Sequence, residues 1–197
     1  METIPDVFVV ETLEFDDEEK DRFEGKMISH ILNLHGKKSK YYYIRTKKEL
    51  REIAKRFGQS TYRYLHLSCH GNESSMATTL DSIDFSELGS ILRPHLEKRR
   101  LFVSACEMVN ESLAEAVIPK SGCYSIIGPN ESVAFSDAAI FWPSFYHLMF
   151  RHNADAMKRA DLLKHLSSVS QLYDLRISYF SSSRSSRTGY KAKHFGM

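Results

Sequence analysis

A histidine and a cysteine stand at the ends of two short apolar segments of the sequence. The first segment, residues 64–71, ends in His70 and Gly71, and the second, residues 101–106, ends in Cys106. Both have the length of a strand and are too short for a helix. Adjacent parallel strands lie about 4.8 Å apart, and their carboxyl ends meet at the sheet edge where ligands bind. The positions of His70 and Cys106 at the ends of these segments therefore predict a thiol beside an imidazole. These are the two groups that a cysteine nucleophile requires.

The chemistry expected of such a pair depends on the thiolate. A free thiol has a pKa of about 8.5, and a neighbouring histidine can accept its proton and later donate it to a leaving amine. Strand alternation places His66 and Ser68 on the same face as His70, and Cys69 on the other. No residue that would orient the imidazole is evident, because His66 and Ser68 lie too far back along the strand.

Two other interpretations of these residues are open. One is a buried strand that simply ends in His-Gly. The other is a zinc site built from His66, Cys69, His70 and Cys106. Zinc sites normally come from paired short spacings such as C-x₂-C, which the sequence lacks, so no metal site is predicted.

The segments before these two motifs predict alternating strands and helices. Residues 7–10 and 40–45 have strand character. An acidic turn at residues 16–19 opens a helical pattern that continues through Phe23, Met27, Ile31 and Leu34. Thr46 and Glu49 form a candidate capping box for the helix after the second strand. This rhythm, with a further strand at residues 123–127, predicts an α/β fold with a mostly parallel sheet flanked by helices.

The remaining chain predicts further helices and a tail. Residues 71–83 are polar and predict a loop or short hairpin over the site. Helices are expected near residues 85–92, 110–117, 137–150 and 157–172, with a possible edge strand at 175–180. Residues 1–180 are interpreted as one domain. Residues 181–197 are rich in serine and basic residues, and we expect this tail to be poorly ordered.

Composition narrows the class of protein further. The chain has 197 residues, 42% hydrophobic content and a formal net charge of +2, as expected for one soluble domain with a full core. No apolar run approaches the roughly 18 residues of a membrane helix, and no apolar leader is evident. Three cysteines give no disulfide framework, which favours a reducing cytoplasm. Gly128-Pro129-Asn130 lacks the glycine spacing of a dinucleotide loop, so no cofactor is expected.

A strand ending in His-Gly followed by a strand ending in Ala-Cys resembles the caspase-like cysteine proteases, the group of caspases, metacaspases, gingipains and separase. Ser104-Ala105-Cys106-Glu107 is similar to the second motif of the CHAT branch, and the resemblance covers about residues 60 to 150. It implies a three-layer sandwich and a catalytic dyad of His70 and Cys106. It also implies an oxyanion site formed by the backbone N–H groups of Gly71 and Cys106.

The resemblance also bears on substrate and partners. Glu131 and Asp137 lie near the same sheet edge, where an acid would favour a basic substrate residue; alternatively, Asp137 only occupies the first turn of its helix. The leading interpretation is a cytoplasmic cysteine endopeptidase with a protein substrate. It would be an effector in a bacterial defence or cell-death system, switched on by a partner protein, with nucleic acid involved only indirectly. A non-catalytic interaction module on this fold and an unrelated α/β signalling domain are the alternatives.

Overall fold

The computed structural model describes residues 2–152 and 155–196. Its main element is a seven-stranded sheet in the order β10-β9-β8-β7-β3-β1-β2. The five strands from β2 to β8 in this order are parallel, and β9 pairs antiparallel with both of its neighbours, β8 and β10. The strands are β1 (Ile4–Glu11), β2 (Lys40–Tyr43), β3 (Tyr62–Ser68), β7 (Arg100–Ser104), β8 (Ser125–Pro129), β9 (Ile177–Ser182) and β10 (Tyr190–Phe195).

Helices connect the parallel strands and cover both faces of the sheet. They are α1 (Phe15–Glu19), α2 (Glu24–Leu34), α3 (Lys47–Gln59), α4 (Phe85–Leu92), α5 (Glu111–Val117), α6 (Phe135–His152) and α7 (Arg159–Tyr173). The capping box predicted at Thr46 and Glu49 is present at the start of α3. No helix in the described part of the chain is both long and apolar enough to cross a membrane.

Strand alternation divides the core into two layers. Phe8 and Leu65 point to the face covered by α3, α4 and α5. Val9 and Phe102 point to the opposite face, where α2, α6 and α7 pack with the buried Trp142. The resulting helix–sheet–helix arrangement confirms the predicted three-layer α/β fold with a mostly parallel sheet.

The first helical region differs from the expectation of one continuous helix. It consists of α1 and α2, separated at residues 20–23, where Asp21 adopts a left-handed φ of 52°. The predicted apolar face is also wrong, because Met27 is 47% and Leu34 is 82% exposed. Ile28 and Leu32 pack into the core instead.

The polar stretch after His70 is more ordered than a loop. It forms a small antiparallel sheet of β4 (His70–Gly71), β5 (Ser75–Ala77) and β6 (Ser82–Asp84). Met76 and Ile83 are buried in the core beneath it. Its turn is held by the Asn72 side chain, whose Oδ1 accepts hydrogen bonds from Ser74 and Ser75.

The end of the chain also departs from the expectation of a poorly ordered tail. Residues 190–195 pair with β9 as an antiparallel edge strand, so β9 is an inner strand of the sheet. Tyr190 and Phe195 are buried at the two ends of β10, while the side chains between them are exposed. One edge strand needs few apolar side chains, because its backbone hydrogen bonds to β9 hold it in place.

Candidate active site

The register of β3 against β7 brings the two predicted catalytic residues to one edge. Ser68 pairs with Ser104 at the carboxyl ends of these strands. His70 and Cys106 each lie two residues beyond that pair, and both line a single cleft. The structure therefore places an imidazole and a thiol at equivalent positions at the carboxyl edge of the parallel sheet, where α/β proteins bind their ligands.

Gly71 lies in a crowded position directly after His70. A Cβ atom there would be 2.4 Å from the Met108 Sδ and 3.0 Å from the Ser75 carbonyl oxygen. Only glycine fits here without displacing these neighbours. Its assignment, with Cys106, to an oxyanion site is a prediction from the family resemblance.

The His70 imidazole is hydrogen-bonded to an aspartate, Asp17. His70 Nε2 lies 2.6 Å from Asp17 Oδ2, and the other carboxylate oxygen, Oδ1, accepts a 2.8 Å bond from Arg22. The Asp17 side chain is 9% exposed, whereas that of His70 is 42% exposed. Because Asp17 engages Nε2, Nδ1 is the ring nitrogen left to receive a proton from a thiol.

The charge of Asp17 suits this orienting contact. Partial burial opposes its ionisation, but the hydrogen bonds from His70 and Arg22 outweigh burial and hold the pKa of Asp17 below its usual range. An ionised Asp17 accepts the proton on Nε2, and it would stabilise the imidazolium formed when Nδ1 takes up a second proton.

The Cys106 thiol is held by the loop that follows β8. Its Sγ lies 3.5 Å from the Val133 carbonyl oxygen, to which it donates, and 3.4 Å from the Val133 nitrogen, which donates to the sulfur. Ser132 Oγ approaches the same sulfur at 3.9 Å. The thiol proton thus has the Val133 carbonyl as its acceptor, and its transfer to His70 requires this hydrogen bond to break.

The other two cysteines lie in apolar surroundings. Burial is the main cause that raises the pKa of Cys69, with smaller contributions from Glu24 and Cys106. Burial also raises the pKa of Cys123 to about 12. Both thiols therefore stay protonated and unreactive at neutral pH. Cys69 lines the cleft, but its Sγ faces the Met108 sulfur at 3.9 Å.

Two glutamates are buried beneath the cleft. Glu24, the first residue of α2, accepts hydrogen bonds from Ser68 Oγ at 2.6 Å and from Ser104 Oγ at 2.9 Å. Glu11 accepts bonds from the Gly25 N–H and the Tyr41 hydroxyl, each at 2.7 Å. Burial is the main cause that raises the pKa of both carboxyls, in Glu24 to about 7, and the neighbouring Glu11 adds to the shift of Glu24.

The two acids suggested by the sequence for substrate binding lie elsewhere. Glu131 accepts a 2.9 Å bond from the Arg176 N–H and pairs with the Arg176 side chain at 3.5 Å. Asp137 lies in the first turn of α6, between two residues that line the cleft, Phe135 and Ala138. Neither Glu131 nor Asp137 is itself among the residues that line the cleft.

His66 belongs to the core. Its side chain is fully buried, its Nδ1 lies 2.9 Å from the Tyr146 hydroxyl, and burial lowers its pKa to about 3. Among residues 2–152 and 155–196, no three histidine, cysteine or acidic side chains are grouped so that they could hold a metal ion.

The sequence did not reveal Asp17, Arg22 or Glu24 as residues of this site. Asp17 was part of an acidic turn that suits any helix start, and Glu24 was one polar position in an apparent helix. Their roles depend on the break between α1 and α2, which turns both carboxylates towards the sheet edge. The only available signal was the concentration of acids between β1 and the first apolar helix positions.

Comparison with known proteins identifies this architecture as the caspase-like fold. A secreted C11 cysteine protease of Bacteroides thetaiotaomicron, iotapain, is similar with a TM-score of 0.60 and 11% identity, over 92% of this chain and 67% of that protein. Caspase-1 from Spodoptera frugiperda is similar with a TM-score of 0.58 and 13% identity, over 98% of this chain and 85% of that one. No protein-family model and no curated protein sequence matches the chain.

Proposed function

We propose that the chain is a cysteine endopeptidase in which Cys106 is the nucleophile and His70 the general base and acid. The observation that supports this most strongly is the equivalent placement of His70 and Cys106, each two residues beyond the Ser68–Ser104 pair. The contact between His70 Nε2 and Asp17 adds to it, because it leaves Nδ1 for the thiol proton.

The proposed reaction has two stages. In the first, Nδ1 of His70 takes the proton of Cys106 and the thiolate attacks the scissile carbonyl carbon, which moves a negative charge onto the carbonyl oxygen. His70 then donates the proton to the leaving amine, and an acyl-enzyme remains on Sγ. In the second stage, His70 removes a proton from water, which attacks the acyl carbon and releases the new carboxylate and the thiol. Asp17 orients the ring throughout.

We assign the chain to the CHAT branch on the sequence Ser104-Ala105-Cys106-Glu107. We further propose a cytoplasmic effector that a partner protein activates, in a bacterial defence or cell-death system, with a protein substrate. The contact of the thiol with Val133 supports the need for activation, because it gives the proton of Cys106 an acceptor other than His70. The residues between Asn130 and α6 are the segment that a partner or substrate would have to displace.

The test combines covalent labelling with peptide cleavage. A set of peptide acyloxymethyl ketones should modify Cys106, as located by mass spectrometry, and Cys106→Ala should lose both labelling and cleavage. His70→Ala should reduce cleavage by at least about 10³-fold, and the double variant should be no worse than either single variant, because the two residues act as a unit.

His147→Ala is the matched control for His70→Ala, because His147 is an exposed histidine that contacts His35 away from the cleft. It should retain the wild-type rate. Substantial cleavage by Cys106→Ala, or labelling confined to Cys69 or Cys123, would refute the proposed dyad.

A further inference from the structure

A carboxylate forms the floor of the cleft that holds His70 and Cys106. Glu24 lines this cleft and is 2% exposed. The hydroxyls of Ser68 and Ser104 fix its two oxygens, Oε2 and Oε1 respectively. Because these serines lie two residues before His70 and Cys106, at the carboxyl ends of β3 and β7, they fix the Glu24 carboxylate next to the positions proposed as catalytic.

The walls above this carboxylate are apolar. They are contributed by the loop after β1, the turn that carries Cys106, the end of β8 and the start of α6. The residues are Leu13, Ala105, Pro129, Val133, Phe135 and Ala138. A pocket with apolar walls and an acid at its floor is complementary to a long side chain with an apolar stem and a cationic end.

Glu24 also lacks a cation of its own. Among residues 2–152 and 155–196, none of the ion pairs formed by lysine, arginine or histidine involves Glu24. The charged group that perturbs the pKa of Glu24 is a second acid, Glu11, which raises it further. A buried carboxylate without a counter-ion is costly to ionise. A ligand cation would supply the missing charge.

We propose that Glu24 is the specificity-determining residue of this cleft and that it receives the lysine or arginine side chain preceding the scissile bond. The inference rests on the proposed protease function and adds the substrate class. It transfers this role from Glu131 and Asp137, because Glu131 is engaged by Arg176 and neither residue lines the cleft. An acidic substrate residue would meet Glu24 as a like charge.

The first experiment uses wild-type protein and probes that differ at one position only. Peptide acyloxymethyl ketones carry arginine, lysine, citrulline, norleucine or aspartate next to the reactive carbonyl, and the rate of Cys106 modification is measured. We expect arginine and lysine to react at least about 100-fold faster than citrulline and norleucine, as a charged hydrogen bond in a dry site predicts. Aspartate should be the slowest. Equal rates for arginine and citrulline, or a preference for norleucine, would overturn the inference and leave the protease proposal intact.

The second experiment compares variants. Glu24→Gln keeps the size of the side chain and its ability to bond both serines, and it should remove the preference for arginine over citrulline. Glu131→Gln, which removes an acid outside the cleft, should keep the wild-type preference. Unchanged selectivity in Glu24→Gln would contradict the assignment, and thermal unfolding checks that the variant is folded.

A third measurement separates the two proposals. Calorimetry records the binding of a peptide with a C-terminal arginine, and of the same peptide with citrulline, to Cys106→Ala, which cannot react. Binding of the arginine peptide that is lost in Cys106→Ala/Glu24→Gln would support the site without any reliance on catalysis. If that binding is seen but no probe modifies wild-type Cys106, the protease proposal fails and the cation site stands. Absence of arginine-selective binding would refute the site.

Discussion

The buried state of Glu24 predicts a dependence of stability on pH that can be measured without any substrate. Burial raises the pKa of this carboxyl from 4.5 to about 7 in the folded protein. Unfolded chains therefore lose the Glu24 proton at lower pH than folded ones. The sign follows directly: Glu24 costs nothing below about pH 4.5, and it destabilises the fold progressively as the pH rises to about 7.

The magnitude comes from the size of the shift. Each pKa unit corresponds to 1.36 kcal/mol, so the full effect is about 3 kcal/mol, of which roughly 2.5 kcal/mol develops between pH 5 and pH 8. Glu24→Gln removes the titrating proton and can still bond Ser68 and Ser104 through its amide. Relative to the wild type, this variant should thus gain about 2 to 3 kcal/mol of unfolding free energy between these two pH values.

Urea unfolding of both proteins at pH 5 and pH 8 measures this gain, and thermal unfolding should show a relative shift of roughly 4 to 12 °C for a chain of this size. Glu19→Gln is the control, because Glu19 is an exposed acid of similar sequence position. The difference in unfolding free energy between Glu19→Gln and the wild type should be nearly the same at pH 5 and pH 8. If the difference between Glu24→Gln and wild type is the same at both pH values, Glu24 ionises in the folded state as easily as in water, and the cleft floor is not dry.

Three further predictions concern the reactive groups. Limiting iodoacetamide should modify Cys106 before Cys69 or Cys123, because burial raises the pKa of the latter two thiols; mass spectrometry of the peptides checks the order, and prior labelling of Cys69 would contradict it. Asp17→Asn should lower kcat by tenfold or more, up to about 10⁴-fold, with little change in KM. A rise in KM by a similar factor would contradict this and indicate damage to the pocket. In hydrogen exchange, the loop at residues 130–134 should gain protection when an inhibitor modifies Cys106, whereas residues 75–84 should be protected in the free protein; fast exchange of Met76 and Ile83 would refute the second part.

The segment after His70 is more ordered than its composition indicates. The sequence predicts a loop or short hairpin there, and the structure contains a three-stranded antiparallel sheet that Met76 and Ile83 anchor in the core. Two buried side chains are enough to order this small sheet. Whether they reach the core depends on the three-dimensional position of the segment, which its composition does not show. The loop near Val133 remains the segment for which we propose a rearrangement.

The placement of His70 and Cys106 at one edge of the sheet was predictable because two local patterns agree. A short apolar run fixes a strand, and parallel strands share one carboxyl edge, so the ends of two adjacent runs must meet. The residues around this pair were not predictable, because the positions of Asp17 and Glu24 depend on the interruption between α1 and α2. Helical spacing continues across residues 20–23 in the sequence, while the Arg22 bond to Asp17 and the packing of Ile28 and Leu32 determine where the helix really starts.

This break also links two properties of the site. Asp17 lies on its amino-terminal side and orients His70, while Glu24 lies on its carboxyl-terminal side and forms the floor of the cleft. Arg22, between them, binds back to Asp17. A cation that engages Glu24 therefore acts on the same short segment that sets the position of the imidazole. In the proposed protease, substrate selection and alignment of the general base would share one structural element, and we expect occupation of the cleft and placement of His70 to reinforce each other.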